Sequence, residues 1–161
     1  MLDETIFLAG EKATRALGAR LAPLLAKGDV LCLSGPLGAG KTTLARGIIA
    51  ALIKGQETPS PTFALVETYE TAGLTLWHFD LYRLAKAADV WELGLEEAFA
   101  EGASLIEWPE RIAAHIPEAA LLIRLSLDGA GRRAAIRGGR AWAPRLRAAG
   151  LFSGRESTDK D

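Results

Sequence analysis

The chain alternates between short apolar runs and longer stretches in which apolar residues recur every three or four positions. The recurring spacing is typical of an amphipathic helix, and a short uninterrupted apolar run is typical of a buried strand. The run "TIFLA" therefore predicts a first strand, and "DVLCLSG" predicts a buried parallel strand. The stretch between them predicts a helix that Pro23 kinks or breaks and Gly28 ends. Its apolar positions are Ala13, Leu17, Leu21, Leu24 and Leu25.

The same patterns continue through the rest of the chain. Helical spacing over residues 41–52 predicts a second helix. Two pairs of strand-like runs predict β-hairpins: "FALVETYE" with "LTLWHFDLY", and "AALLIRLSLD" with "RAAIRG". The stretch "ADVWELGLEEAFAEG" predicts two short helices that meet at Gly94, and "ASLIEW" predicts another buried strand. Pro109 then fits the first position of a helix, and "AWAPRLRAAG" predicts a last one.

This order of elements predicts an α/β protein with a mixed, partly parallel central sheet and antiparallel hairpin additions. The chain length of 161 residues suits one domain. We expect that domain to span residues 1–152. Residues 153–161 are polar and poor in apolar side chains, so we expect a disordered tail there.

Composition and charge narrow the class of protein. The chain is 49% hydrophobic and 24% charged, with a net charge of −1, so overall charge does not suggest non-specific binding to polyanions. The single cysteine, Cys32, cannot form an internal disulfide and is predicted to be a buried core residue. The N-terminus lacks the pattern of a signal peptide, and no apolar run is long enough to span a bilayer. We therefore expect a cytoplasmic protein without membrane contact.

The segment "GPLGAGKT" over residues 35–42 matches the P-loop pattern G-x-x-x-x-G-K-[ST] and lies between a predicted strand and a predicted helix. Glycines let the backbone curl so that successive N–H groups face one anion, and the helix N-terminus adds further donors. Lys41 would neutralise the β- and γ-phosphates, and Thr42 would offer its hydroxyl to Mg²⁺. This motif predicts a three-layer P-loop NTPase-like domain. The predicted phosphate-binding residues are Gly38, Ala39, Gly40, Lys41, Thr42 and Thr43.

The strand-like run "LWHFDLY" places His78, Asp80 and Tyr82 on one face. That face could be an ordinary solvated one. A carboxylate near a strand end is also the kind that holds Mg²⁺ or its water in P-loop enzymes, and Asp80 has this position. His78 is predicted to be structural rather than catalytic.

Glu107 ends the apolar strand of "LIEWPER". A carboxylate buried there without a partner would be costly, whereas a neighbouring Mg²⁺ would supply one. Glu107 could bind the metal through water or polarise the attacking water; alternatively, it could be a surface residue paired with Arg111. The sequence does not divide the metal and base roles between Asp80 and Glu107. Trp108 is predicted to be a packing residue first, and a nucleotide contact or a partner contact second.

The loop "SPTF" follows the predicted P-loop helix. In P-loop hydrolases this region often carries a switch whose hydroxyl senses the γ-phosphate, and Thr62 is the candidate. A proline turn leading into a strand explains the same residues equally well.

Taken together, "GPLGAGKTT", "SPTFALVETY", "HFDLYRL", "ELGLEE" and "LIEWPER", in this order, resemble the bacterial TsaE (YjeE) family. That family is the small P-loop ATPase of tRNA threonylcarbamoyladenosine biosynthesis. The resemblance runs from about the first helix to about Ile112. One departure is Pro36, where the family often has an acidic residue; its carbonyl stays free, so we expect binding to persist.

The resemblance implies binding of ATP or ADP with Mg²⁺ and slow ATP hydrolysis that supports a tRNA-modifying complex. The implied partners are TsaB- and TsaD-like subunits, with tRNA involved only indirectly and the chain alone a monomer or weak oligomer. Thr42, Glu107 and Asp80 would lie at the metal, with Asp80 supporting hydrolysis. Lys41, Asp80 and Glu107 are the implied catalytic residues. The implied nucleotide contacts outside the P-loop are Thr62, Trp108, Glu11 and Arg132.

Two other classes of function stay open on the sequence alone. A small-molecule kinase also places a P-loop before a helix, but it usually needs an arginine-bearing lid, and no lid-like insertion follows Glu107. A nucleotide-gated binding module that never hydrolyses ATP is the other alternative. The intact Asp80 and Glu107 favour hydrolysis over that module.

Overall fold

The computed structural model describes residues 2–53 and 64–151. Within these ranges the chain forms seven strands, which are β1 (Leu2–Leu8), β2 (Val30–Ser34), β3 (Val66–Thr71), β4 (Leu74–Asp80), β5 (Ala103–Glu107), β6 (Leu121–Asp128) and β7 (Gly131–Gly138). The α-helices are α1 (Glu11–Leu21), α2 (Lys41–Ile53), α3 (Leu95–Glu101) and α4 (Trp142–Ala148). Three 3₁₀ segments span Ala22–Leu24, Ala87–Leu93 and Pro109–His115.

The strands form one mixed sheet in the order β1-β7-β6-β2-β5-β4-β3. Its centre is parallel, since β2 pairs in parallel with both β5 and β6, and β4 pairs in parallel with β5. Both edges are antiparallel: β3 pairs with β4 on one side, and β7 pairs with β6 and β1 on the other. This confirms the predicted mixed sheet with antiparallel hairpin additions.

Apolar side chains fill a core on each face of the sheet, which gives three layers. Successive residues of a strand point to opposite faces, so Leu31 and Leu33 of β2 join one core while Val30 and Cys32 join the other. The first core packs the sheet against α1, α2 and α4. The second packs it against α3 and the two later 3₁₀ segments. The α/β class predicted from the sequence is therefore confirmed.

Most predicted elements are present, with changes at their ends. The first strand starts at Leu2 rather than Thr5, because its full length pairs with β7. The first helix ends at Leu21 and Pro23 lies in a 3₁₀ segment, as the missing proline donor requires. The segment that begins at Pro109 is 3₁₀ rather than α-helical. The two short helical segments do meet at Gly94, which has a φ of 89°.

Two predicted segments fall outside the described residues: the loop "SPTF" over residues 60–63 and the tail over 153–161. Within residues 2–53 and 64–151, no helix has both the length and the apolar character needed to cross a membrane.

Candidate functional site

The loop between β2 and α2 has the backbone that its sequence predicts. Gly35, Gly38 and Gly40 have φ values of 137°, 77° and 105°, a region that non-glycine residues rarely adopt. At Gly35 a Cβ atom would lie 2.3 Å from the backbone oxygen of Leu125, so a side chain does not fit there. The chain then enters α2 at Lys41. A curled glycine loop that opens into a helix presents backbone N–H groups to an anion.

Lys41 is the first residue of α2, and 5% of its surface is exposed. Its Nζ donates hydrogen bonds to the carbonyl oxygens of Gly35 at 2.6 Å and Pro36 at 2.9 Å, and it lies 4.2 Å from the centre of the Trp108 ring. Burial lowers the pKa of Lys41 from its ordinary value, while the negative charge of Glu107 acts in the opposite direction. The ammonium group is thus fixed at the mouth of the loop by neutral carbonyls and an aromatic face.

Glu107 lies at the end of β5 with 2% of its surface exposed. Its Oε1 accepts a hydrogen bond of 2.8 Å from the Thr42 hydroxyl, and its Oε2 lies 2.6 Å from Nε2 of His78. The alternative of a surface glutamate paired with Arg111 is therefore wrong. Parallel pairing of β2 with β5 aligns Leu33 with Glu107, and this register brings the carboxylate to the first turn of α2.

Asp80 ends β4 beside Glu107, because the two residues are paired in the parallel register of β4 and β5. It is partly exposed, and its Oδ1 accepts a hydrogen bond of 3.2 Å from the backbone N–H of Tyr82. Asp80, Glu107, Lys41 and Thr42 line one cavity of about 250 Å³. The carboxyl ends of β4 and β5 thus bring both predicted carboxylates to the P-loop.

Trp108 forms one wall of this cavity and has an unusual backbone. Its φ of 59° and ψ of 52° lie in the left-handed region, the only such non-glycine case within residues 2–53 and 64–151. That conformation costs about 1–2 kcal/mol. The ring contacts Tyr82 at 4.9 Å between centroids and covers Lys41. Packing against these two side chains helps to offset the backbone cost and directs the indole at the loop.

A second recess also borders the P-loop and has a volume of about 320 Å³. Glu11 and Arg132 line it together with Gly38 and Thr43, so the two recesses share part of the loop. Arg132 also donates a hydrogen bond of 3.1 Å to the carbonyl oxygen of Gly38. The structure therefore places Glu11 and Arg132 beside the P-loop.

The oxygen donors near the loop suit a hard divalent cation. Thr42 offers a hydroxyl, and Glu107 and Asp80 offer carboxylates, all of which are ligands that Mg²⁺ prefers. Among the residues that the structure describes, no three His, Cys, Asp or Glu side chains group as a metal site. Mg²⁺ in phosphate-binding sites is usually held by one or two carboxylates together with substrate phosphates and water. The donor set fits that arrangement.

The structure brings together most of the side chains predicted from the sequence and adds others. The two recesses contain Gly38, Gly40, Lys41, Thr42, Thr43, Asp80, Glu107, Trp108, Glu11 and Arg132. Ala39 is buried in the loop, and Thr62 lies outside the described residues. Sequence reasoning did not assign Leu37 and Thr14 to the site, although a threonine within the apolar stripe of α1 was a signal.

Comparison with known proteins gives a family for these features. The model of the family described as "Threonylcarbamoyl adenosine biosynthesis protein TsaE" matches residues 8–135. The tRNA threonylcarbamoyladenosine biosynthesis protein TsaE of Rickettsia bellii is 39% identical over 129 residues, covering 79% of this chain and 89% of the relative. The protein of the same name from Bacillus subtilis is 36% identical over 121 residues, covering 74% of this chain and 75% of the relative.

The crystal structure of YdiB from Bacillus subtilis shares the fold. It superposes with a TM-score of 0.77 at 28% sequence identity, covering 92% of this chain and 95% of YdiB. The similarity therefore extends over most of both chains.

Proposed function

The chain belongs to the TsaE family of threonylcarbamoyladenosine biosynthesis proteins, and from that premise we propose that it binds ATP with Mg²⁺ and hydrolyses it slowly. We further propose that this hydrolysis supports threonylcarbamoyl transfer to adenosine in tRNA by a complex of TsaB- and TsaD-like subunits. On this proposal the chain acts in the cytoplasm, touches tRNA only indirectly and does not itself modify the base.

The main support for the proposal is that the lysine and threonine of the P-loop and a nearby carboxylate line one cavity. Lys41, Thr42 and Glu107 come from α2 and β5, and all three line the space in front of the loop amides. Loop amides bind phosphate oxygens, the ammonium neutralises their charge, and the hydroxyl and carboxylate suit a cation beside them. This combination favours a nucleoside triphosphate over an uncharged ligand.

The proposed roles follow from the contacts of each group. Lys41 would exchange its two carbonyl partners for the β- and γ-phosphate oxygens, since its Nζ is already at the loop. Thr42 and Glu107 would hold Mg²⁺, which when bound supplies positive charge to the triphosphate. Asp80 is partly exposed in the same cavity, so it can reach water there and support hydrolysis.

The adenine and ribose would extend from the loop into the second recess. Glu11 and Arg132 line that recess, and Thr43 borders both recesses. A guanidinium beside the loop can also pair with phosphate oxygens, because its N–H groups suit such acceptors. We therefore propose that the nucleotide spans the P-loop from the second recess to the metal side.

Hydrolysis assays test the proposed activity. We expect the purified chain to release phosphate from ATP slowly in Mg²⁺ and to support several turnovers of tRNA modification when TsaB- and TsaD-like subunits are present. Glu107→Ala should retain nucleotide binding but lose Mg²⁺-dependent turnover, because it removes the carboxylate beside Thr42. A control, Glu96→Ala, removes an exposed carboxylate on α3 and should leave turnover unchanged.

Three results would contradict parts of this proposal. Phosphoryl transfer to a small acceptor rather than water would identify a kinase. Nucleotide binding with no hydrolysis, even with the partner subunits, would identify a nucleotide-gated binding module. Wild-type turnover in Glu107→Ala would refute the assigned role of that carboxylate.

A further inference from the structure

His78 is a buried polar side chain that the proposed roles leave unused. Only 3% of its surface is exposed, and it lies on β4 in the same face as Asp80. Its Nε2 is 2.6 Å from Oε2 of Glu107, a short contact between two nearly inaccessible side chains. A leucine would fill such a core position without burying a polar atom. The buried imidazole therefore indicates a role other than packing.

The strand register explains why the two side chains meet. Parallel pairing aligns His78 with Leu105 and Asp80 with Glu107, so the imidazole lies two register positions before the carboxylate, on the same face of the sheet. From there it reaches the carboxylate oxygen that faces away from Thr42. Glu107 is thus held between a side chain from β4 and a side chain from α2.

The chemistry of these groups sets the direction of each hydrogen bond. A Glu107 carboxylate that is ionised, as the proposed cation requires, only accepts hydrogen bonds, so Nε2 of His78 is then the donor of this contact. The hydroxyl of Thr42 has one proton and donates it to Oε1 of Glu107. Both lone pairs of the Thr42 oxygen then remain free to face the cavity.

We propose that His78 is a positioning residue for the divalent cation, and that its Nε2–H group fixes Glu107 so that the Thr42 oxygen is directed at the metal. The inference rests on the proposed function, because it concerns the cation that accompanies the nucleotide. A partner that orients a ligand from behind is a common feature of metal sites, and its loss typically costs about 10- to 100-fold in metal affinity.

A pair of near-isosteric variants separates positioning from packing. In His78→Gln the amide nitrogen occupies nearly the place of Nε2 and can still donate, whereas His78→Met fills similar space without a donor. The measurement is Mn²⁺ affinity in the presence of saturating ADP, followed by the electron paramagnetic resonance of free Mn²⁺. ADP affinity without metal and the melting temperature are measured on the same samples.

We expect His78→Met to weaken Mn²⁺ binding by about tenfold or more, with metal-free ADP affinity unchanged within about twofold. His78→Gln should stay within about threefold of wild type, because its donor replaces the imidazole N–H. In a Glu107→Gln background, His78→Met should weaken Mn²⁺ binding by less than about a further twofold, since the carboxylate that His78 contacts is already altered. If the Met variant does not fold, His78→Asn, whose amide falls short of Glu107, takes its place.

Two results would overturn the inference while leaving the proposed function intact. One is a Met or Asn variant that binds Mn²⁺ as tightly as wild type. The other is a Gln variant that is as weak as the Met variant, since the donor would then not be the cause. A wild-type chain that binds no Mn²⁺ with ADP would contradict the proposed function itself, and this failure shows in the wild type before any variant is compared.

Discussion

Lys41 shows how one residue can be prepared for an anion by its surroundings. Its Nζ has two carbonyl partners and an aromatic face, and burial lowers its pKa while nearby carboxylates, Glu107 first among them, oppose that shift. Neutral carbonyls hold the ammonium in place without cancelling its charge. The charge is therefore available to phosphate oxygens that enter the loop.

Replacing this lysine tests its contribution to nucleotide binding. We expect Lys41→Ala to weaken binding of Mg²⁺·ATP by roughly 10- to 100-fold, because a hydrogen bond to a charged group contributes about 1.5–3 kcal/mol. Isothermal titration calorimetry measures the change. Lys27→Ala is the matched control, since it removes the same charge from an exposed position, where Lys27 lies 3.9 Å from Glu101. Equal affinity in the Lys41 variant would refute this role.

Cys32 illustrates how burial changes the titration of a thiol. Burial raises the pKa of its thiol to about 12, and the negative charge of Glu110 adds to the shift. The folded chain therefore holds the protonated thiol, and the unfolded chain loses that proton near its ordinary pKa of 9.0. The contribution of Cys32 to stability is complete below the unfolded pKa and is lost as the pH rises towards the folded value.

Urea unfolding across the alkaline range tests whether the contribution of Cys32 to stability falls as the pH rises. Above the ordinary thiol pKa, the wild type should lose about 1.4 kcal/mol of unfolding free energy per pH unit through Cys32, in addition to losses from other groups. Cys32→Ala lacks this contribution, so the stability gap between the two proteins should narrow as the pH rises. If the difference in unfolding free energy between the two proteins stayed constant between about pH 8 and pH 10.5, the raised pKa of the Cys32 thiol would be contradicted.

At the scale of elements, the P-loop helix is positioned by a close crossing with α1. A Cβ atom on Gly18 would lie 2.6 Å from the backbone oxygen of Leu44, and one on Gly47 would lie 2.5 Å from that of Arg15. These distances are shorter than any real Cβ contact, so both glycines are required for the two helix backbones to approach. Since α2 begins with Lys41, the crossing also sets where the P-loop lies.

Substitution at this crossing should reduce stability. Alanine at a helical glycine normally gains about 1 kcal/mol, but at Gly18 the backbone of α2 must move, which costs about 1–3 kcal/mol or more. We expect a net loss of unfolding free energy in Gly18→Ala, measured by urea denaturation. Gly139→Ala is the control, because nothing lies within 4 Å of its Cβ position. A Gly18 variant as stable as the control would show that the helices are not tightly apposed.

At the scale of the whole molecule, local sequence patterns predicted individual helices, strands and the P-loop. The strand order and register of the sheet determined which of their side chains come into contact. The P-loop motif and the two-residue alternation of β4 were sufficient to place Lys41 and to put Asp80 and His78 on one face. The contact of Thr42 with Glu107 joins positions 65 residues apart, and that of His78 with Glu107 joins positions 29 apart. No local pattern encodes such contacts, because strand order and register create them.

Local sequence patterns also do not predict the second recess. Arg132 reaches the Gly38 carbonyl across 94 residues of chain. Arg132 lies beside the P-loop because β7 and the start of α1 lie on the same side of that loop. From the sequence, only the resemblance to a family could predict this position of Arg132. Similarly, β1 extends to Leu2 because pairing with β7 outweighs the polar residues at its start.

The proposed function depends most on the curled loop after β2, which would hold the phosphates of a nucleotide. Amide chemical shifts of the ¹⁵N-labelled chain, recorded while Mg²⁺·ADP is added, test it directly. We predict the largest shifts at the backbone amides of residues 38–43, with smaller ones at Glu11, Glu107 and Arg132. Saturating shifts confined to another part of the sheet, with the loop amides unchanged, would contradict it.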